Sequence, residues 1–352
     1  MKAESEKFLK KLLDTPSPSG YEQQASKVFR QYLKGHVDQL IPDVHGNTIA
    51  VLNPDAPFKF MLAGHIDEIG LIITHIDDKG FLYVAQIGGM DPALLVGQRV
   101  RILTANGPVL GVIGRKAIHM MTPEDRRKCV KMENIWVDIG AKDKKEAQSI
   151  ASVGDVMVID VECRTLRRDK IISRATDNKV GAFLVAEVLR RLSRHKLKIS
   201  VVGVATVQEE VGLRGAITST YTVQPNAGIA FDVGFASDHP ETDPKKMGDV
   251  KLGSGPNLHR GPNINPILEA ELVKTAKKAR IPYQITAEAR ATGTDANAMQ
   301  LSRGGVATAL VSIPNRYMHT PVEVISTKDL DHITKLVTTY LANHPASRNY
   351  CP

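Results

Sequence analysis

Four apolar runs of strand length in this chain each lead to a histidine or a carboxylate, and this coincidence narrows the possible folds more than any bulk property does. Phe58–Gly64 (FKFMLAG) runs into His65-Ile66-Asp67, and Ile199–Val207 runs into Gln208-Glu209-Glu210. Ala227–Phe231 ends at Asp232, and Val306–Ile313 leads through Pro314–Met318 to His319. Helical patterns lie between these runs. Asn178–Leu192 places Val180, Phe183, Leu184, Val188 and Leu192 on one face, and Pro266–Ala279 reads as another helix. Continuous apolar strands alternating with helices imply an α/β sheet covered by helices on both faces. In open sheets of this kind, ligands bind outside the carboxyl ends of the strands. One sheet edge would therefore collect His65, Asp67, Glu209, Glu210, Asp232 and His319, with Asp177 just before the helix that opens at Asn178.

The rest of the chain has a different texture. Glu4–Leu13 and Glu22–Leu33 read as two helices joined by a turn at Thr15–Gly20. From Ile69 to about Cys163, short strand-like stretches are joined by turn signals at Asp77–Gly80 and Asn106-Gly107, with further strands at Ile135–Ile139 and Val156–Val161. A chain of 352 residues exceeds what one core usually fills. The expected organisation is a discontinuous domain, 1–67 and 165–352, interrupted by a β-rich insert over 68–164.

Composition serves mainly to exclude. The net charge of +8 comes from scattered groups such as Arg126–Lys128, Arg167–Lys170, Arg190–Lys198 and Lys274–Arg280, without interleaved aromatics, so no nucleic-acid partner is expected. No apolar run approaches the roughly 18 residues that span a bilayer, and the first residues do not resemble a signal peptide. The three cysteines, Cys129, Cys163 and Cys351, lack metal-type spacing and read as free thiols. A cytoplasmic protein with no membrane partner is the expectation.

Histidines mixed with carboxylates form the nitrogen and oxygen donor set that suits Zn²⁺, Co²⁺ or Mn²⁺. Taken singly, each residue has an ordinary explanation: a structural histidine, a solvated Glu-Glu pair, or an N-cap at Asp177. The spacing adds chemical sense. In an extended segment Asp67 faces the same way as His65 and can orient its imidazole. Glu209 and Glu210 point differently, so one can hold metal while the other faces substrate as a general base. Asp295 reads as an N-cap. His259 and Arg260 lie either near a substrate pocket or in structural positions. His75, His119 and His239 have no partner pattern.

Six segments together resemble the tetrahedral aminopeptidase family, which includes glutamyl aminopeptidases and proteins labelled endoglucanase M. They are AGHIDEIG (63–70), SRATDNKVGAF (173–183), QEEVGLRGA (208–216), FDVG (231–234), GTDANAMQ (293–300) and RYMHTPVEV (316–324), in order along nearly the whole chain. The resemblance implies a three-layer zinc-peptidase-like fold with a small inserted β-barrel-like domain for dimerisation and substrate gating. It also implies two divalent ions per subunit, zinc or cobalt. His65 and Asp232 would hold one ion, Glu210 and His319 the other, and Asp177 would bridge them. Glu209 would act as general base, and Asp67 would orient His65. Peptide substrates cut at their N-terminus, and a tetrahedral dodecamer built from dimers, are further implications. Three rival readings remain: another two-metal amide hydrolase, a glycosidase and an inactive scaffold. A single Trp and 5% aromatics leave little for glycan stacking, and an intact ligand set argues against an inactive scaffold.

Overall fold

The computed structural model describes residues 1–352. The chain opens with helices α1 (Ala3–Asp14) and α2 (Gln23–Leu33), then strands β1 (Gln39–Pro42), β2 (Thr48–Leu52) and β3 (Lys59–His65). Six strands follow, β4 (Gly70–Ile76), β5 (Leu82–Ile87), β6 (Arg99–Thr104), β7 (Gly107–Arg115), β8 (Ile135–Asp138) and β9 (Val156–Ile159), with helices α3 (Pro123–Arg127) and α4 (Lys144–Ile150) among them. Next come β10 (Arg164–Arg167), β11 (Lys170–Ser173), α5 (Thr176–Leu192), β12 (Ser200–Thr206), α6 (Arg214–Val223), β13 (Ala227–Phe235) and α7 (Pro244–Met247). The chain ends with β14 (Asn257–Arg260), α8 (Pro266–Lys278), β15 (Gln284–Ala287), α9 (Asp295–Gln300), β16 (Ala307–Arg316), β17 (Glu323–Ser326) and α10 (Thr327–Ala342).

An 11-stranded mixed sheet runs β1-β2-β12-β3-β13-β16-β17-β11-β10, with β14 on β16 and β15 on β14. Its centre, β12-β3-β13-β16, is parallel, as the β-branched runs imply. Alternate residues of β3 serve opposite faces. Phe60 and Leu62 join a core with α1, α2, α5, α8 and α10, whereas Met61 and Ala63 join Val223 of α6 and Ala296 and Met299 of α9. Helices thus cover both faces. One boundary differs from the sequence reading. β13 continues past Phe231 to Phe235 because it stays paired with β16 as far as Asn315, so Asp232 lies inside a strand rather than after one.

Helix α5 lies very close to β3. A Cβ on Gly64 would stand 2.4 Å from the carbonyl carbon of Gly181, with no flexible side chain to yield. Gly64→Ala should therefore destabilise the fold by about 3 kcal/mol, the upper part of the usual overpacking cost. Urea unfolding checks this, and an unchanged midpoint would mean that helix and strand can separate freely. On the same helix, buried Glu187 accepts from the Tyr32 hydroxyl at 2.7 Å and from Arg190 and Arg191 at 2.8–3.0 Å, joining α2 to α5.

Strands β4-β5-β8-β7-β6-β9 close into a barrel around their own apolar core. The expected turns fall between β4 and β5 and between β6 and β7. On the barrel exterior, Leu110 and Val112 remain 57% and 47% exposed. All three cysteines are free, and burial pushes the Cys163 thiol up to about 12. No helix is long and apolar enough to cross a membrane.

Candidate metal centre and active site

The parallel strands bring their carboxyl ends to one edge of the sheet. His65 is the last residue of β3, Asp232 lies near the end of β13, Glu209 and Glu210 follow β12, and His319 follows β16. Asp177 enters from the first turn of α5. Although far apart in sequence, these side chains converge. His65 Nε2 stands 3.2 Å from Asp177 Oδ1, 3.7 Å from Glu209 Oε2 and 3.8 Å from Asp232 Oδ1. The other oxygen of Asp177 faces the second histidine, with His319 Nε2 at 3.3 Å, and Glu210 Oε2 lies 3.5 Å from the same nitrogen. Asp177 thus presents one oxygen to each histidine.

Two triads of donor atoms are tight enough to hold an ion: His65 with Glu209 and Asp232, and His65 with Asp177 and Glu210. This grouping differs in detail from the division implied by the resemblance. His65 belongs to both triads, and Glu209 sits among the donor atoms of one of them.

Asp67 sits 3.4 Å from His65 Nδ1, within reach of the ring as its spacing predicts. It also does something the sequence did not indicate. Its oxygens accept from the Glu209 amide at 3.1 Å, the Glu210 amide at 3.2 Å and the Ser19 hydroxyl at 2.7 Å. One buried carboxylate therefore ties the end of β3 to the turn that carries the Glu pair. Next to it, Glu68 accepts from Lys179 at 2.6 Å and Arg174 at 3.0 Å, joining the same strand end to the start of α5. Sequence reading missed Glu68. Its only signal was adjacency to Asp67.

Carboxylates outnumber the histidines here, and the electrostatics show it. Burial, reinforced by the charges of Asp232, Asp295 and Asp177, pushes Glu209 up to about 10. Burial and Asp177 push Glu210 up to about 8, and burial raises Asp232 well above the carboxylate range. Burial opposes a charge on His65, but Glu209, Asp177 and Asp67 outweigh it and raise its pKa. Contact with Asp177 raises His319 to about 9. The buried Oε1 atoms of Glu209 and Glu210 have no hydrogen-bond partner. Unpartnered buried oxygens beside imidazoles, with more anion than local cation to balance it, fit divalent metal ions.

Asp295 departs from expectation. Thr294 occupies the N-cap position and Asp295 is the first helical residue, because the carboxylate turns inward to accept from Thr206 Oγ1 at 2.5 Å. Its other oxygen is buried and unpartnered. His259 lines the cleft beside the metal residues. Burial lowers its pKa to about 4, and Ser312 Oγ holds its Nε2 at 2.9 Å. Arg260 instead points to Glu269 at 2.9 Å. The cleft measures about 840 Å³ and also carries Phe235, Ile285, Leu310, Met318, Lys245 and Glu288.

From the side, the barrel reaches the centre. A Cβ on Gly88 would lie 3.3 Å from Glu210 Oε2, and one on Gly89 would lie 3.6 Å from His319 Nδ1. The β5–β6 connection thus passes against two candidate ligands, and a side chain at Gly88 would crowd Ile69 and Glu210, whereas one at Gly89 would meet His319 at ordinary contact distance.

Histidines and carboxylates gathered at the carboxyl edge of a helix-covered sheet are a donor set of the kind that metal-dependent hydrolases use. The chain belongs to the M42 glutamyl aminopeptidase family, whose model matches residues 46–336. A lysyl aminopeptidase of Pyrococcus furiosus is 38% identical over 95% of this chain and 96% of its own length. A TET aminopeptidase from Thaumarchaeota archaeon SCGC AB-539-E09 superposes with a TM-score of 0.92 at 31% identity, covering 96% of each chain. The Pyrococcus horikoshii TET1 peptidase, described as able to assemble into a tetrahedron or a large octahedral shell, gives a TM-score of 0.85 at 31% identity over 96% of this chain and 99% of that one. The protein is accordingly a hydrolase acting as an aminopeptidase, and its activity depends on metal.

Proposed function

We propose that the chain is a two-metal aminopeptidase that removes residues from peptide N-termini, with Glu209 as general base. The position of Asp177 carries this reading, since it offers one oxygen to His65 and the other to His319. His65 with Asp232 would hold one divalent ion, Glu210 with His319 the other, and Asp177 both. Zinc and cobalt suit the donor set equally. When bound, such ions lower the pKa of a nucleophilic water and polarise the scissile carbonyl. Glu209 would take the proton from the attacking water and deliver it to the leaving amine. Its buried, unpartnered Oε1 supports that role. Asp67 would hold His65 in orientation and, through the two amides it accepts from, set where Glu209 points.

Apolar Phe235, Ile285, Leu310 and Met318 line the cleft together with Lys245, Lys246 and Glu288, and the apolar share supports a neutral aliphatic N-terminal residue. Residues 68–164 are read as a separate inserted domain with two roles. The Gly88-Gly89 turn would limit access to the site, and exposed Leu110 and Val112 would lie in a subunit contact. Assembly into a tetrahedral dodecamer built from dimers is inferred from resemblance to the TET1 peptidase, and the barrel contact would supply the dimer surface.

A panel of aminoacyl-anilides, their N-acetylated counterparts and carboxymethylcellulose, assayed with Zn²⁺ or Co²⁺, tests the proposal. Cleavage confined to free-amine substrates, fastest for leucyl or similar residues, is the expected result. Cleavage confined to acetylated compounds or glycan would assign the site to another substrate class.

A further inference from the structure

Asp177 and His319 arrive from unrelated parts of the chain, on backbone that does not settle there unaided. Ala175, two residues before Asp177, has φ 57°, and Tyr317 and His319 have φ 65° and 60°. Non-glycine residues adopt this left-handed region only where surrounding structure compels it, at a cost of about 1–3 kcal/mol each. Besides the 3.3 Å contact between the two side chains themselves, a third residue holds both segments by their backbone.

Glu323 is placed to hold them. It opens β17, pairs across the ladder with Ser173 at the end of β11, and is only 2% exposed. Its Oε2 accepts from the Thr176 hydroxyl at 2.6 Å and the Asp177 amide at 2.9 Å. Its Oε1 accepts from the His319 amide at 3.0 Å. All three donors are neutral. One oxygen serves the Asp177 segment and the other serves the His319 segment.

The chemistry of the contact specifies a carboxylate. Both terminal atoms must accept, because a backbone N–H faces each of them. Glutamine has one acceptor oxygen and one donor nitrogen. In either amide orientation its NH₂ would confront an N–H, so one ligand segment would be released.

We propose that Glu323 is a positioning residue that fixes Asp177 and His319 relative to each other, so that the ion between Glu210 and His319 finds its ligands already in place. This inference rests on the two-metal reading above. Asp67 holds the His65 and Glu209-Glu210 segments in the same manner, so two buried carboxylates, one on each side, would set the spacing of the whole ligand set. Partners of this kind that orient metal ligands typically contribute 10–100-fold to metal affinity or activity.

The test is Zn²⁺ titration of the chelator-stripped full chain against a chromogenic chelator, on wild type, Glu323→Gln, Glu323→Asp and Thr176→Val. Glu323→Gln should weaken the site that includes His319 by about 10–100-fold, and the His65–Asp232 site, which depends on Glu323 only through the shared Asp177, by less. Glu323→Asp keeps two acceptor oxygens and should recover part of the loss. Thr176→Val, which removes one donor on the Asp177 side and is the milder change to the fold, should weaken both sites a few-fold. Glu187→Gln breaks a buried ion pair elsewhere and controls for general destabilisation. It should lower the thermal midpoint with both affinities unchanged. Two ions bound by Glu323→Gln as tightly as by wild type would overturn the inference, as would an equal loss in Glu187→Gln. A wild-type chain that takes up fewer than two ions would overturn the two-metal reading, and this inference with it.

Discussion

Replacing Glu209 with alanine should lower kcat by about 10²–10⁴-fold, the usual contribution of a positioned acid–base group, while the chain still binds metal. Glu209 is 8% exposed, its amide is held by Asp67, and its Oε1 has no partner within the protein. The backbone at Glu209 is therefore held while one buried side-chain oxygen is left without a protein partner. Removal of the side chain leaves His65, Asp177, Glu210, Asp232 and His319 in place, so the ligands proposed for two ions persist. The measurement is kcat on an aminoacyl-anilide together with metal stoichiometry on the same sample. Activity within tenfold of wild type would remove Glu209 from the base role. Loss of one ion along with activity would make Glu209 a ligand, as its place in a triad with His65 and Asp232 allows.

Metal removal should have the second large effect, on stability as well as on rate. Without ions, carboxylates of like charge are buried together, and burial and mutual repulsion raise Glu209, Glu210 and Asp232 above their ordinary values. The folded chain pays for this arrangement, while the unfolded chain does not. Ions that bind only the folded form stabilise it by about 4 kcal/mol at 1,000 times their dissociation constant. At roughly 2–4 °C per kcal/mol for a domain of this order of size, the thermal midpoint should rise by about 10 °C between chelated and zinc-loaded protein. Calorimetry with and without chelator checks this. A midpoint unmoved by metal, in protein that has taken it up, would mean that the unfolded chain binds metal as well as the folded one and that no folded site is assembled.

All the candidate donor residues except Asp177, which opens a helix, could be read from sequence because each lies at or soon after the end of an apolar run. A parallel strand buried on both faces must be apolar almost to its end, so a histidine or acid immediately afterwards stands out. His65 follows its run directly, Glu209 and Glu210 come after Gln208, and His319 lies beyond Pro314–Met318. Asp232 was visible too, although its strand continues four residues further than the apolar run through pairing with β16. The hairpins of the insert were legible because turn chemistry is local.

Other features depended on distant neighbours. Asp295 looks like a cap in sequence because acids favour helix starts. Only the approach of Thr206 from β12, 89 residues away, turns its carboxylate inward. Glu323 appears in the sequence as one acid in a short segment after His319. Its importance lies in Asp177 and Thr176, which belong to another part of the chain. The contact of Gly88 and Gly89 with Glu210 and His319 was likewise invisible, since it depends on how the barrel sits against the sheet.

By itself, then, the sequence determined the class of sheet, the edge on which chemistry gathers and the residue types delivered there, because periodicity and strand termination are local properties. Only the tertiary structure decided which oxygen of Asp177 faces which histidine, which carboxylates hold the ligand segments in place, and how closely the barrel approaches. Those depend on distances between segments more than a hundred residues apart, and local patterning says nothing about such distances.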